Sequence, residues 1–117
     1  MQEILLILND PPYGTERSYN GLRLALALPK AEPEARVNLF LMADAVGCAK
    51  AGQQTPNGYY NLQRMVRAAL RHGDVLACGS CLDARGLTEA ELVDGVRRSS
   101  MDGLARHTLA ADRVLVF

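Results

Sequence analysis

Four short, largely apolar runs constrain the fold of this sequence more than any other feature. They occupy residues 4–8 (ILLIL), 37–42 (VNLFLM), 75–77 (VLA) and 114–117 (VLVF). Continuous apolar runs of this length, without a polar residue at every second position, are typical of strands buried on both faces of a parallel sheet. The sequence therefore predicts a parallel sheet that is covered by other elements on both sides.

Helical patterns lie between these runs. Apolar residues crowd residues 22–28, which predicts a helix that ends at Pro29, because proline lacks the N–H that a helix interior needs. In residues 59–70 apolar side chains recur at helical spacing, with glutamine and arginine on the opposite face. This second pattern predicts an amphipathic helix that packs one face on the sheet.

Two further helices are predicted nearer the carboxyl terminus. Residues 88–91 (TEAE) have the spacing of a capping box, so we expect a short helix to begin there and to carry the apolar residues of 92–96. Ser100 is a candidate N-cap for a last helix over residues 101–109. Residues 95–99 are ambiguous, and a short strand there is an open alternative.

Length and composition narrow the class of protein. Strands that alternate with helices over 117 residues predict one α/β domain, residues 1–117, with a doubly wound sheet whose strand order is left open. Thirteen basic residues balance thirteen acidic ones, and four tyrosines and two phenylalanines are the aromatic residues. A neutral balance with few rings argues against nucleic-acid and membrane-surface partners.

The same features predict the compartment. No apolar run approaches the ~20 residues that span a bilayer, and the amino terminus lacks the basic start of a signal peptide. Three cysteines, an odd and low number, argue against a disulfide framework. We therefore expect a cytoplasmic protein.

Loops that follow the strands are the places to look for a site, because ligands of open parallel sheets bind beyond the carboxyl ends of the strands. The first loop contains Pro12, Tyr13 and Gly14, which are candidate ligand-binding residues, although a proline-stiffened turn is the simpler interpretation. In the second loop Asp44 is a candidate helix cap or site-lining residue, and Cys48, among small apolar residues, is a candidate core residue.

The third loop carries the strongest chemical pattern, a C-x-x-C formed by Cys78 and Cys81. Cys78 comes directly after the run at 75–77, so it is expected at the carboxyl edge of the sheet. A thiol is nucleophilic only as the thiolate, and its ordinary pKa is about 8.5. The cation of Arg85, the amides of a glycine-containing loop and a helix amino terminus are candidates for lowering that pKa.

Several other kinds of site are disfavoured. All five prolines precede Cys78, so the later proline that faces the C-x-x-C of thioredoxins is missing. Zinc needs about four nitrogen or sulfur ligands, and Cys48, His72 and His107 are not paired at ligand spacing. Neither G-x-G-x-x-G nor G-x-x-x-x-G-K-[ST] occurs. No metal and no cofactor is predicted.

The whole chain resembles the DsrE/DsrF-like (sulfur-relay) family, above all its small bacterial YchN-like branch. Six segments carry the resemblance in order along the chain: 12–14 (PYG), 20–28 (NGLRLALAL), 39–46 (LFLMADAV), 58–61 (GYYN), 78–86 (CGSCLDARG) and 109–117 (LAADRVLVF). The resemblance implies a three-layer α/β/α domain with a mostly parallel five-stranded sheet. It also implies a homo-oligomer, a trimer or a hexamer.

The resemblance further implies a role for the third loop. In sulfur-relay members a cysteine directly after the third strand accepts a sulfane sulfur from a donor protein and passes it to an acceptor protein. Cys78 occupies the matching position, and Arg85 belongs to the matching basic segment. Members with a known relay role often carry a residue other than cysteine at the position of Cys81, which the YchN-like branch shares. A thiol there can attack a Cys78 persulfide, form a disulfide and expel sulfide, which would interrupt a relay.

Three functions stay open at this point. The first is a persulfide carrier or sulfurtransferase-type component that uses Cys78, whether or not it is an enzyme in its own right. The second is a thiol–disulfide or redox module in which Cys78 and Cys81 cycle. The third is a non-enzymatic oligomeric module that binds a small ligand near Pro12, Tyr13 and Asp44.

Overall fold

A five-stranded sheet forms the centre of the computed structural model, which describes residues 2–117. Its strands are β1 (Glu3–Leu8), β2 (Arg36–Leu41), β3 (Val75–Cys78), β4 (Arg97–Ser99) and β5 (Arg113–Val116). They lie in the order β4-β3-β2-β1-β5, and each neighbouring pair is parallel. The predicted α/β fold with its parallel sheet is therefore confirmed, and the strand order is now known.

Helices cover this sheet. They are α1 (Arg17–Ala31), α2 (Leu62–Ala69), α3 (Gly79–Ala84) and α4 (Met101–Ala110), and short 3-10 segments span Ala43–Ala49 and Glu89–Glu91. The chain moves in one direction from β1 to β4 and then returns across the sheet to β5. Since such crossovers are right-handed, α1 and α2, which contact each other, lie on one face, and α4 lies on the other.

The core follows from the apolar runs. Buried side chains of β1, β2 and β3 pack with those of the helices, and the largest of those that are almost fully buried include Phe40, Leu5, Leu22, Leu62 and Leu82. Asn38 is a buried polar residue of β2, and its Oδ1 accepts a hydrogen bond at 2.8 Å from the N–H of Asp74, the residue before β3. The central strands are thus fixed by burial on both faces.

Two helix predictions from the sequence are wrong in part. The helix that was expected to end at Pro29 continues to Ala31, because Pro29 lies in its last turn, where the missing N–H removes one hydrogen bond and does not break the helix. The helix expected over 92–96 is a single 3-10 turn, Glu89–Glu91. Beyond that turn the chain is extended, since the Val93 N–H donates to the carbonyl of Ala49 at 2.8 Å.

The two helix caps that the sequence predicts, at residues 88–91 and at Ser100, both form. The capping box between Thr88 and Glu91 forms, and the Ser100 hydroxyl accepts a hydrogen bond from the Gly103 N–H at 3.2 Å at the start of α4. Asn61 caps α2 by accepting the Arg64 N–H at 3.1 Å. The ambiguous segment 95–99 contributes the edge strand β4.

No helix within residues 2–117 is long and apolar enough to cross a membrane.

Gly73 lets β3 enter the sheet beside β2. A Cβ at this position would collide with the carbonyl oxygen of Val37 and would lie 2.8 Å from the Asn38 Oδ1. We expect Gly73→Ala to lower the free energy of unfolding by about 2 kcal/mol, because the strands must separate to admit the methyl group. Urea denaturation followed by circular dichroism measures the change.

Gly47→Ala is the matched control. The added Cβ would meet the Pro12 side chain at 3.5 Å, an ordinary van der Waals contact. Its free energy of unfolding should differ from the wild type by less than about 0.5 kcal/mol. Equal losses in the two variants would contradict the close approach of Gly73 to β2.

Candidate functional site

Cys78 lies where the carboxyl ends of the parallel strands meet. It is the last residue of β3, and the chain turns there directly into α3, so Cys78 is also the N-cap of that short helix. The end of β2 and the 3-10 segment Ala43–Ala49 lie alongside, in contact with β3 and α3. One edge of the sheet therefore brings together the loops at 43–49 and 78–86.

The Cys78 side chain is buried, with 6% of the residue exposed, and its sulfur accepts hydrogen bonds. Its Sγ lies 3.3 Å from the Ser80 Oγ. Burial acts to raise the pKa of Cys78, but hydrogen bonds from the Cys81 thiol, the Ser80 hydroxyl and the backbone N–H groups of both residues outweigh it. The pKa of Cys78 is therefore lowered, which favours the nucleophilic thiolate.

Cys81 has different surroundings. Its Sγ accepts the backbone N–H of Ala43 at 3.2 Å. The pKa of Cys81 is nevertheless raised, first by burial and then by its hydrogen bond and charge interaction with Cys78. The two cysteines are free thiols, and their opposite pKa shifts favour Cys78 over Cys81 as the thiolate.

Ala43 holds a strained backbone conformation beside Cys81. Its φ is +50°, in the left-handed region that residues with a Cβ adopt rarely and at a cost. In this conformation the Ala43 N–H is directed at the Cys81 sulfur. Backbone strain of this kind persists only where the surrounding structure holds it in place, and it is found most often at functional sites.

Arg85 and Asp44 form an ion pair at the same edge. The Arg85 Nη2 and Nε donate to the Asp44 Oδ1 at 2.8 and 3.0 Å, and the Nη1 donates to the carbonyl of Cys81 at 3.0 Å. Asp44 thus holds Arg85 and does not cap a helix. The charge of Arg85 acts to lower the pKa of Cys81, against the larger effect of burial.

Arg98 is a second arginine at this edge, and the sequence patterns did not identify it. It lies on β4, the strand next to β3, and its guanidinium binds Asp83 of α3 through two hydrogen bonds of 2.7 and 2.8 Å. The segment that forms β4 was ambiguous, and its neighbour in the sheet was unknown. No local signal in the sequence relates Arg98 to Cys78.

The candidate ligand-binding residues of the first loop make structural contacts. The Tyr13 hydroxyl donates to the Gln53 Oε1 at 2.6 Å and accepts the Leu62 N–H at 3.1 Å. Gly14 adopts a φ of +100° in the turn. Pro12 lies against the 3-10 segment at Gly47. Ligand binding by Pro12, Tyr13 and Gly14 stays a prediction.

Cys48 is a core residue, as its apolar neighbours in the sequence indicated. It is fully buried, and burial raises the pKa of its thiol to about 12. Within the described part of the chain, no group of three or more His, Cys, Asp or Glu side chains is placed to hold a metal ion.

Comparison with known proteins relates the chain to a family over its full described length. A sequence model of the DsrE/DsrF-like family matches residues 2–117. Protein YchN of Escherichia coli strain K12 is 42% identical over 118 residues, which cover 100% of both chains. Uncharacterized protein MK0008 of Methanopyrus kandleri is 36% identical over 97% of this chain and 93% of its own.

Solved structures agree with the fold. The crystal structure of the E. coli ychN protein matches with a TM-score of 0.93 at 42% identity and covers 100% of both chains. A protein of unknown function, MTH1491 from Methanobacterium thermoautotrophicum, matches with a TM-score of 0.72 over 98% of this chain and 99% of its own. Its identity of 14% supports a shared fold alone.

The three cysteines should react very differently with an alkylating agent. We expect Cys78 to be modified first, with a midpoint in pH below the ordinary value of about 8.5, because its thiolate accepts several hydrogen bonds. Cys81 should titrate at a higher pH than Cys78, and Cys48 should stay unmodified in the folded protein. Peptide mass spectrometry after brief alkylation over a series of pH values measures each site.

Denatured protein is the control, since all three thiols should then react alike. A folded-state midpoint for Cys78 at or above that of Cys81 would contradict the assigned thiolate.

Proposed function

The chain belongs to the DsrE/DsrF-like family, and on that premise we propose that it handles sulfane sulfur, with Cys78 as the sulfur acceptor. The observation that carries the proposal is the environment of Cys78. Its sulfur stands at the carboxyl edge of a parallel sheet, where ligands of such folds bind, and hydrogen bonds lower its pKa. A thiolate in that position is suited to attack another sulfur.

The proposed reaction is an exchange at sulfur. The Cys78 thiolate attacks the outer sulfur of a donor persulfide, R–S–SH, and a new bond forms between the Cys78 Sγ and that sulfur. The S–S bond of the donor breaks, and its inner sulfur leaves as the thiolate R–S⁻. The product is Cys78–S–SH, and the same exchange with an acceptor thiolate regenerates Cys78. No external oxidant or reductant takes part.

The hydrogen-bond donors around Cys78 support each stage of this exchange. The Ser80 hydroxyl and the backbone N–H groups of Ser80 and Cys81 stabilise the thiolate before the attack. They would stabilise it again when the acceptor has removed the sulfur. Fixed donors of this kind favour the charged sulfur without any rearrangement of the loop.

A second candidate function rests on the thiol of Cys81. Cys78 is the N-cap of α3 and Cys81 lies in the first turn of that helix, and each cysteine affects the pKa of the other. In a redox module the pair would lose two protons and two electrons to a thiol-directed oxidant, such as a disulfide, and would form a Cys78–Cys81 disulfide. The two functions share the nucleophile and differ in the role of Cys81.

The setting of this activity is also a proposal. We propose that the protein is a cytoplasmic homo-oligomer, a trimer or a hexamer, that exchanges sulfur with donor and acceptor proteins. Strand β5 supports self-association, because a strand of a parallel sheet is ordinarily covered on both faces. Instead the β5 residues Val114, Leu115 and Val116 are 38%, 39% and 66% exposed, and Leu109 at the end of α4 is 87% exposed. A second copy is the proposed occupant, since a chain with zero formal charge does not repel itself.

Sulfur transfer to Cys78 is directly measurable. After incubation with a small persulfide donor, we expect the wild-type chain to gain the mass of one sulfur on the peptide that contains Cys78. Cys78→Ser should lose the adduct completely, and Cys48→Ser, a matched loss of one thiol away from the site, should keep it. A wild-type chain without the adduct, or an adduct that persists in Cys78→Ser, would exclude Cys78 as the acceptor.

Cys81→Ser separates the two candidate functions. Serine retains a hydroxyl donor for the Cys78 sulfur but cannot form a disulfide. For a sulfur carrier we expect the Cys78 persulfide to last longer in this variant, because no neighbouring thiol attacks it. A wild-type chain that forms a Cys78–Cys81 disulfide and never a persulfide would favour the redox module.

The assembly is tested by the mass in solution. We expect the wild-type chain to sediment as an oligomer, and the double variant Leu109→Glu with Val116→Glu to sediment as a smaller species, because charges would replace the exposed apolar surface. Arg71→Gln, another exposed change that lies away from β5, is the control. A monomeric wild-type chain in analytical ultracentrifugation would refute the self-association.

A further inference from the structure

Arg98 approaches the sulfur site from the strand beside it. In the register of β3 and β4, Ala77 pairs with Arg98 and Cys78 pairs with Ser99. The guanidinium lies against Gly79 at the start of α3, and its Nη1 and Nη2 bind the two carboxylate oxygens of Asp83, one turn further along the helix, at 2.8 and 2.7 Å. This bidentate pair is the strongest geometry available to an arginine and a carboxylate, and it fixes the guanidinium in place.

Gly79 makes that approach possible. A Cβ on Gly79 would lie 2.7 Å from the Arg98 Nε and 2.8 Å from its Cζ, so the guanidinium would have to move to admit a side chain there. The guanidinium therefore lies against the backbone of the residue that directly follows Cys78. Glycine here admits a cation to the backbone directly after Cys78.

The charges of the site agree with this placement. The pKa of Arg98 is raised, mainly by its hydrogen bond and charge interaction with Asp83 and in smaller part by the charges of Glu89 and Cys78. The groups that hydrogen-bond to Cys78 are Cys81 and Ser80 of α3, and the guanidinium of Arg98 on β4 lies against the backbone of Gly79, the next residue. The other arginine of this edge, Arg85, is held by Asp44 next to Cys81.

We propose that Arg98 is a positioning residue for the sulfur chemistry, holding the Cys78 sulfur and the outer sulfur of its persulfide in their anionic forms. The inference rests on the sulfur-acceptor function proposed above. A persulfide is more acidic than a thiol, so the sulfur that is carried bears a negative charge. The fixed guanidinium beside Gly79 stabilises that charge, and the pair with Asp83 keeps it from folding away into solvent.

The test is the pH dependence of Cys78 alkylation in variants of this pair, with no sulfur donor present. We expect Arg98→Gln to move the midpoint of Cys78 upward by about one pH unit, because the thiolate loses its cation. Arg97→Gln is the matched control, since the neighbouring Arg97 on the same strand pairs with Asp74 instead, at 3.3 Å. It should leave the midpoint unchanged. An unchanged midpoint in Arg98→Gln, or an equal shift in both variants, would overturn the proposal.

Asp83→Asn distinguishes a charge effect from a merely structural one. If the ion pair between Arg98 and Asp83 served only to fix α3, Arg98→Gln and Asp83→Asn would break the same contact and would shift the alkylation midpoint of Cys78 in the same direction. The proposal predicts opposite directions, because Asp83→Asn removes a negative charge and leaves the cation in place. The midpoint of Cys78 should fall in Asp83→Asn, and no change or a rise would overturn the inference, even if Arg98→Gln fails to fold.

This experiment is independent of the proposed function. A wild-type chain whose Cys78 responds to Arg98 as described, but which gains no sulfur from a persulfide donor, would contradict the sulfur-acceptor role and leave the electrostatic role of Arg98 intact. A chain that gains sulfur on Cys78 equally well in Arg98→Gln, with an unchanged midpoint, would contradict the role of Arg98 alone.

Discussion

The parallel pairing of β2 with β3 is the constraint on which the rest of the site depends. Leu39 pairs with Val75 and Leu41 with Ala77, so both strands end at the same edge of the sheet. The chain after β2 then reaches Ala43, whose N–H meets the sulfur of Cys81. A slip of one residue would turn Cys78 to the other face of the sheet. It would also break the hydrogen bond from the Asp74 N–H to the buried Asn38 side chain, which favours the observed register.

The two cysteines of the site have unequal surroundings, and this inequality gives each a different part. Cys78 collects hydrogen bonds from Ser80 and Cys81, which lower its pKa. Cys81 gives up its own proton less readily, because burial first, and then the hydrogen bond and charge interaction with Cys78, raise its pKa. Two arginines held by carboxylates lie along this loop: Arg85, bound to Asp44, donates to the Cys81 carbonyl, and Arg98, bound to Asp83, lies against Gly79. The arrangement favours one nucleophile and one proton donor over two equivalent thiols.

Local patterns in the sequence predicted the elements of the fold and the position of Cys78, because burial of a strand on both faces leaves a continuous apolar run. They did not predict what depends on strand order. Arg98 reaches the site only because β4 lies beside β3. Asp44, which follows β2, meets Arg85 only because β2 lies on the other side of β3. The segment 92–96 was misassigned for a related reason, since its backbone pairs with the distant carbonyl of Ala49 instead of forming its own helix.

The central claim is that sulfur is held on Cys78, at the end of β3, by donors that are already in place. A crystal structure of the chain after treatment with a persulfide donor tests this most directly. We expect one additional sulfur bonded to the Cys78 Sγ, with the loop of α3 unmoved and Ser80 within hydrogen-bonding distance of the modified side chain. Additional sulfur on Cys81 or Cys48, with Cys78 left as a free thiol, would contradict it.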